Sequence, residues 1–141
     1  MISVAKDADL SLRDILNRSP VKDVPDAEET LRKCILRSKE IRYGFLDGEL
    51  ACMWGLIPPT VLSDAAYLWL LTTNIVAEHK FLFIRYSQRY IEEALRLYPV
   101  LVGDVVAGNE SAMQWLKWLG AEFQALANGK VSFVIRRKEP R

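Results

Sequence analysis

Residues 105–123 read V-V-A-G-N-E-S-A-M-Q-W-L-K-W-L-G-A-E-F. Ala112, Trp115, Leu116 and Leu119 recur at i, i+3, i+4 and i+7, which is one face of an α-helix. Asn109 stands where a side-chain cap would begin that helix. Glu110 sits at the positive end of its dipole, and Gly120 occupies the place of a left-handed closing residue. The apolar run V-L-V-G-D-V-V-A comes before, ending at Ala107. E-F-Q-A-L-A and K-V-S-F-V-I-R-R come after, joined by Asn128-Gly129, the pair that a type I′ hairpin turn prefers. The stretch therefore predicts a strand, a helix and a closing hairpin.

Moving back along the chain, Glu78 to Tyr98 is the longest helix, ended by Pro99. Phe83, Ile84, Ser87, Ile91, Ala94, Leu95 and Tyr98 trace its inner face, and Arg85, Arg89, Glu92, Glu93 and Arg96 its outer one. The run A-A-Y-L-W-L-L-T-T before it reads as a central strand covered on both faces. I-R-Y-G-F-L and E-L-A-C-M-W-G-L-I flank Asp47-Gly48, another hairpin signal. Pro25-Asp26 opens a helix, with Asp26 and Glu29 spaced as a capping box and Leu31, Cys34 and Ile35 on its apolar side. Ala8 to Asn17 forms the first helix, and Ile2 and Val4 form the inward face of a short first strand. The order is β-α-α-β-β-β-α-β-α-β-β. It describes an α/β protein with a mixed (α+β) sheet, and the strand–helix–strand unit implies one parallel pair with a right-handed crossover.

The chain has 141 residues, and its formal charge of +1 argues against nucleic acid as a partner. Its length fits one domain, 1–141. Arg136, Arg137, Lys138 and Arg141 read as a solvated basic end. Cys34, Cys52 and His79 cannot be spaced into a zinc site, so no metal is expected. Both cysteines read as reduced packing residues rather than nucleophiles. Neither a targeting segment nor an apolar run of membrane-spanning length is visible, so no membrane association is expected. Trp69 and Trp115 belong to the core, whereas Trp54 and Trp118 are candidates for an exposed patch that a protein partner would cover.

Asn109, Ala112, Leu119-Gly120 and Phe123 together resemble the acyl-CoA helix of the GNAT (Gcn5-related N-acetyltransferase) superfamily, and the element order is similar over nearly the whole chain. W-L-L-T-T, Tyr98-Pro99 and the double-tryptophan segment resemble small GNAT-like proteins of tailed phages, of the internal virion protein A type. The resemblance implies acetyl-CoA or CoA as the bound molecule. It would lie between the strand ending at Thr72-Thr73 and the strand ending near Ala107. Its pyrophosphate would meet residues 74–81, with Leu71, Thr72, Thr73, Asn74, His79 and Lys80 on one side and Asn109 and Ala112 flanking the thioester arm. The backbone N–H near Leu71 would polarise the thioester carbonyl.

The sequence departs from the family pattern in two places. The pyrophosphate loop, residues 72–81, contains no glycine, and side chains crowd the backbone approach that glycine permits. Leu116 stands where many members carry a tyrosine as the acid for the leaving thiolate. No general base is evident: Glu40, Glu49 and Asp64 fall at strand ends, and Tyr43 and Tyr67 read as strand packing or cleft residues. His79 reads as a surface residue or a phosphate contact. Two functions of different class stay open. One is an acyl-CoA-dependent N-acyltransferase acting on an amine of a protein or small molecule. The other is a catalytically reduced binding module that contacts a host enzyme or virion protein, in host cytoplasm or virion. The oligomeric state is not written in the sequence.

Overall fold

The computed structural model describes residues 2–6, 9–106 and 109–138. Ala8, Ala107 and Arg141 lie outside these. The elements are β1 (Ile2–Ala5), α1 (Leu12–Asn17), α2 (Ala27–Arg37), β2 (Glu40–Leu46), β3 (Glu49–Ile57), β4 (Ala65–Thr72), α3 (Asn74–Glu78), α4 (Lys80–Leu97), β5 (Val100–Val106), α5 (Glu110–Trp118), β6 (Glu122–Ala127) and β7 (Lys130–Arg136). The strands form one seven-stranded sheet in the order β1-β2-β3-β4-β5-β7-β6. Every pair whose register is resolved is antiparallel except β4 with β5. The mixed α/β architecture is the one the periodicities predict, with one short helix added before the long one.

By contacts the chain groups into two compact units, Met1–Ile57 with Trp69–His79, and Pro58–Leu68 with Lys80–Arg141. In the first, β2 and β3 turn at Asp47 (φ 50°) and Gly48 (φ 84°), the positive-φ pair of a type I′ hairpin. The register slips between Gly44 and Phe45, so that Ala51 has no partner across the ladder. This bulge is held from the side. Thr73 is buried; its N–H donates to the Ala51 carbonyl (2.8 Å), and its Oγ1 reaches the carbonyls of Leu50 and Ala51. A buried hydroxyl that spans two carbonyls fixes where β4 ends, because those groups have no water to turn to. Trp69 lies flat on Gly55, where an added Cβ would fall 2.6 Å from the indole nitrogen. That nitrogen donates to Ser38 Oγ at the end of α2.

Five local expectations change here. The first helix begins at Leu12 rather than Ala8, because the Ser11 hydroxyl accepts from the Asp14 N–H and caps it. Asp26 precedes α2 but adopts a left-handed backbone (φ 61°) and makes no side-chain cap, so the capping box does not form. Trp54 is buried at 8 % exposure, and Val4 at 37 % is not inward-facing. The helix expected from Glu78 is split: α3 ends at His79, whose backbone (φ −130°, ψ 38°) breaks the path before α4 begins.

Burial pushes the Cys52 thiol up from 9.0 to about 12, opposed only weakly by its backbone contact with Gly44. The thiolate is the reactive form, so Cys52 is inert at neutral pH. Between these values the folded state keeps a proton that the unfolded state has lost. Stability from this group is therefore complete below pH 9 and falls as the pH rises, at up to about 1.4 kcal/mol per pH unit. Urea midpoints measured from pH 8 to about 11 should show a steeper alkaline loss for the wild type than for Cys52→Ala; parallel curves would contradict the assignment.

In the second unit, β6 and β7 turn at Asn128 (φ 53°) and Gly129 (φ 74°), again a type I′ pair. Asn109 Oδ1 accepts from the Ala112 N–H and opens α5. At the other end, Gly120 (φ 92°) donates to Lys117 and Ala121 to Leu116, the paired bonds of a Schellman closure. The α5 stripe is buried through Ala112, Trp115 and Leu116. Ser87 joins the two long helices: its hydroxyl donates to the Phe83 carbonyl and accepts from Trp115 Nε1 at 2.8 Å. The basic end is not simply solvated. Arg137 donates from Nε to the Leu95 carbonyl (2.6 Å) and from Nη2 to Arg96 (3.2 Å), which satisfies carbonyls at the end of α4.

Candidate functional site

Side chains alternate across a strand, and burial shows which face of the second unit is covered. Ala66 and Leu68 of β4 and Leu101, Gly103 and Val105 of β5 are buried, whereas Tyr67 and Val102 are half-buried and Asp104 is exposed. The parallel ladder runs Ala65–Val100, Ala66–Leu101 and Tyr67–Val102, three of the eight residues of β4. Immediately beyond it, Gly103 meets the Leu68 carbonyl so closely that an added Cβ would lie 2.5 Å from the oxygen. One residue further, on the less covered face, Asp104 Oδ2 accepts a hydrogen bond from the Tyr67 hydroxyl at 3.0 Å. A carboxylate with a phenol positioned against it, open to solvent at the last rung of a parallel pair, can hold an ammonium group and take its proton.

The other feature of this unit is the start of α4. The first N–H groups of a helix have no partner inside it, and Lys80, Phe81 and Leu82 form the exposed first turn of α4. With the Lys80 ammonium, itself 5.5 Å from the Phe81 ring, they form an anion-favouring end on an 18-residue helix. Phe81 in turn meets Trp118 edge-on, at 6.3 Å between ring centroids. Asn109 and Ala112 open α5 in the same unit, as its cap and as a buried residue of its first turn.

The remaining expected site residues belong to the first unit. Leu71 is buried in β4, and Thr72 is its half-buried last residue. Thr73 and Asn74 cannot offer their amides to a phosphate: Thr73 N–H is held by Ala51 and Asn74 N–H by the Arg18 carbonyl at 3.1 Å. Val76 N–H is held by the Thr73 carbonyl. The stretch read as a loop is largely helical, and the first turn of the long helix falls later, at 80–82. His79 is exposed and ends α3 rather than starting a helix; its N–H goes to the carbonyls of Ile75 and Val76. Leu116 is buried at 3 % exposure, so that position contributes packing and no proton.

Sequence reasoning missed Asp104. Its signal is a lone carboxylate among V-L-V-G-D-V-V, at a position whose neighbours two residues away are valines on the same face. Among the described residues no group of three potential metal ligands is present, and no helix is long and apolar enough to cross a membrane.

No protein-family model and no curated protein sequence matches the chain. Solved structures do. A Bacillus subtilis acetyltransferase in complex with CoA aligns at a TM-score of 0.67 with 13 % identity, over 97 % of this chain and 98 % of that one. The fold is that of the N-acetyltransferases. The ribosomal-protein-S18-alanine N-acetyltransferase of Escherichia coli aligns at 0.63 with 15 % identity, over 100 % and 97 % of the two chains. The Campylobacter jejuni N-acetyltransferase PseH in complex with acetyl coenzyme A aligns at 0.58 with 15 % identity, over 98 % and 100 %. At these identities the likeness establishes the GNAT architecture, and chemistry has to be argued from the site.

Proposed function

We propose that the chain, acting as one domain over residues 1–141, is an acyl-CoA-dependent N-acyltransferase that moves an acetyl group to an amine of a protein or small molecule. The observation that carries this is the Tyr67–Asp104 pair at the end of the parallel ladder, on a fold whose solved neighbours include CoA and acetyl-CoA complexes. Asp104 takes the proton of the acceptor ammonium, and the Tyr67 hydroxyl keeps the carboxylate pointed at the acceptor. The freed nitrogen bonds to the thioester carbon and the C–S bond breaks; the nitrogen loses its second proton to water as the amide forms, and the CoA thiolate takes a proton back from water, since Leu116 has none to give. The amides of Lys80, Phe81 and Leu82, with the Lys80 ammonium, hold the pyrophosphate. Asn109 and Ala112 keep their place beside the thioester arm.

CoA and acetyl-CoA at about 100 times their Kd should each stabilise the fold by about 2.7 kcal/mol, read as a rise in Tm. Lys80→Glu should reduce that rise. No change in Tm at about 1 mM of either ligand sinks the reading.

Two observations favour a second reading, in which the fold is kept for binding. Leu116 lacks the acid, and Phe81 (66 %) and Trp118 (56 %) present exposed aromatic surface. In that case the chain is a phage protein of the internal virion protein A type that contacts a host enzyme or virion protein, in host cytoplasm or virion. Recovery of only background proteins by the immobilised chain from host and virion lysates would count against it.

A further inference from the structure

A groove of about 550 Å³ lies along the second half of α4, bordered by the end of α5 and the strand end of β7. Its wall runs from Gln88 to Arg96, about 12 to 24 Å along the helix axis from Lys80. That wall starts about two turns beyond the amide end assigned to the pyrophosphate, and Trp118, which meets Phe81 edge-on, is the lining residue that reaches back toward it. Arg96, Arg136, Arg137 and Lys138 line it against a single carboxylate, Glu92. No carboxylate pairs with Arg96, Arg136 or Lys138 among the described residues. Arg137 is pinned by the carbonyls of Leu95 and Arg96, so one guanidinium is already oriented. Trp118, 56 % exposed, lines the same groove, while Trp54, Trp69 and Trp115 are buried.

From this charge pattern we infer that the groove docks an acidic peptide segment of a partner protein, anchored by one aromatic or large apolar side chain on Trp118. The 12 Å wall between Gln88 and Arg96 matches about four residues of extended chain. Guanidinium groups pair with carboxylates in two-point geometry, and an exposed indole flanked by cations is the residue type that anchors interfaces. This inference does not depend on acyl transfer, and its failure would leave the acyl-CoA reading untouched.

The test uses the full chain and the fluorescein-labelled hexapeptide Glu-Asp-Glu-Phe-Glu-Asp, followed by anisotropy. Saturable binding is expected that weakens with salt, falls at least about tenfold in Arg136→Glu/Lys138→Glu and at least about fivefold in Trp118→Ala. The peptide with lysine in place of every acid should not bind. Circular dichroism and cooperative thermal melts of the variants show that they are folded. No saturable binding at about 1 mM peptide, equal binding of the basic peptide, or wild-type affinity in both variants overturns the inference. Full displacement by ATP but not by the unlabelled hexapeptide would also overturn it, assigning the groove to a free nucleotide.

Discussion

Asp104→Asn should lower kcat/KM for acetyl transfer by about 10² to 10⁴, the range seen when a positioned general base is removed, while CoA affinity stays at the wild-type value. The side chain is exposed and its volume is preserved, so the fold should tolerate the change. The amide still accepts a hydrogen bond from Tyr67 but cannot take a proton from the acceptor. Tyr67→Phe should have a smaller effect, because it removes the group that aims the carboxylate and leaves the base in place. Steady-state release of CoA thiol with an amine acceptor, beside CoA binding by calorimetry, separates the two steps. Asp104→Asn with half or more of the wild-type rate would remove Asp104 from the mechanism. A wild type that binds CoA and transfers nothing to any amine would instead support the binding-module reading.

Gly103→Ala should cost about 3 kcal/mol, at the upper end of what overpacking usually costs, and lower Tm by roughly 10 °C for a chain of this size. The new methyl would lie 2.5 Å from the Leu68 carbonyl oxygen and 2.5 Å from Cζ of Phe133. The ring can shift, but the carbonyl belongs to the backbone of β4 and moves only with the strand. The double variant Gly103→Ala/Phe133→Leu should therefore regain only part of the loss. Because the same glycine sets the approach of β4 to β5 beside Tyr67 and Asp104, acetyl transfer should fall in Gly103→Ala even at temperatures where it is fully folded. A Tm within about 2 °C of wild type would show that the strands separate at little cost.

Much of the architecture was legible because its signals are local. The Asp47-Gly48 and Asn128-Gly129 hairpins are written in adjacent residues, since a type I′ turn needs positive φ at both positions. The α5 segment from Asn109 to Gly120 carries its cap, its stripe and its closing glycine within twelve residues, and all three form. The capping box at Asp26 failed for the opposite reason: the residue type is right, but the turn leading into α2 sets a left-handed backbone that the side chain cannot cap from.

The sequence by itself determined the element order apart from the short α3, the two hairpins, the buried stripes of α4 and α5 and, through them, the N-acetyltransferase fold. These depend on neighbours within about one helical turn, or two residues apart along a strand. Only the tertiary structure decided which amides remain free and which carboxylate has a partner. Thr73 and Asn74 give their N–H groups to Ala51 and Arg18, far away in the chain, which leaves the first turn of α4, at Lys80, Phe81 and Leu82, as the anion-favouring end. Asp104 met Tyr67 across 37 residues because the parallel register sets Tyr67 opposite Val102. Register is set by the packing of whole faces rather than by any one pair of residues, and so the chemistry of the site becomes visible only once the sheet is assembled.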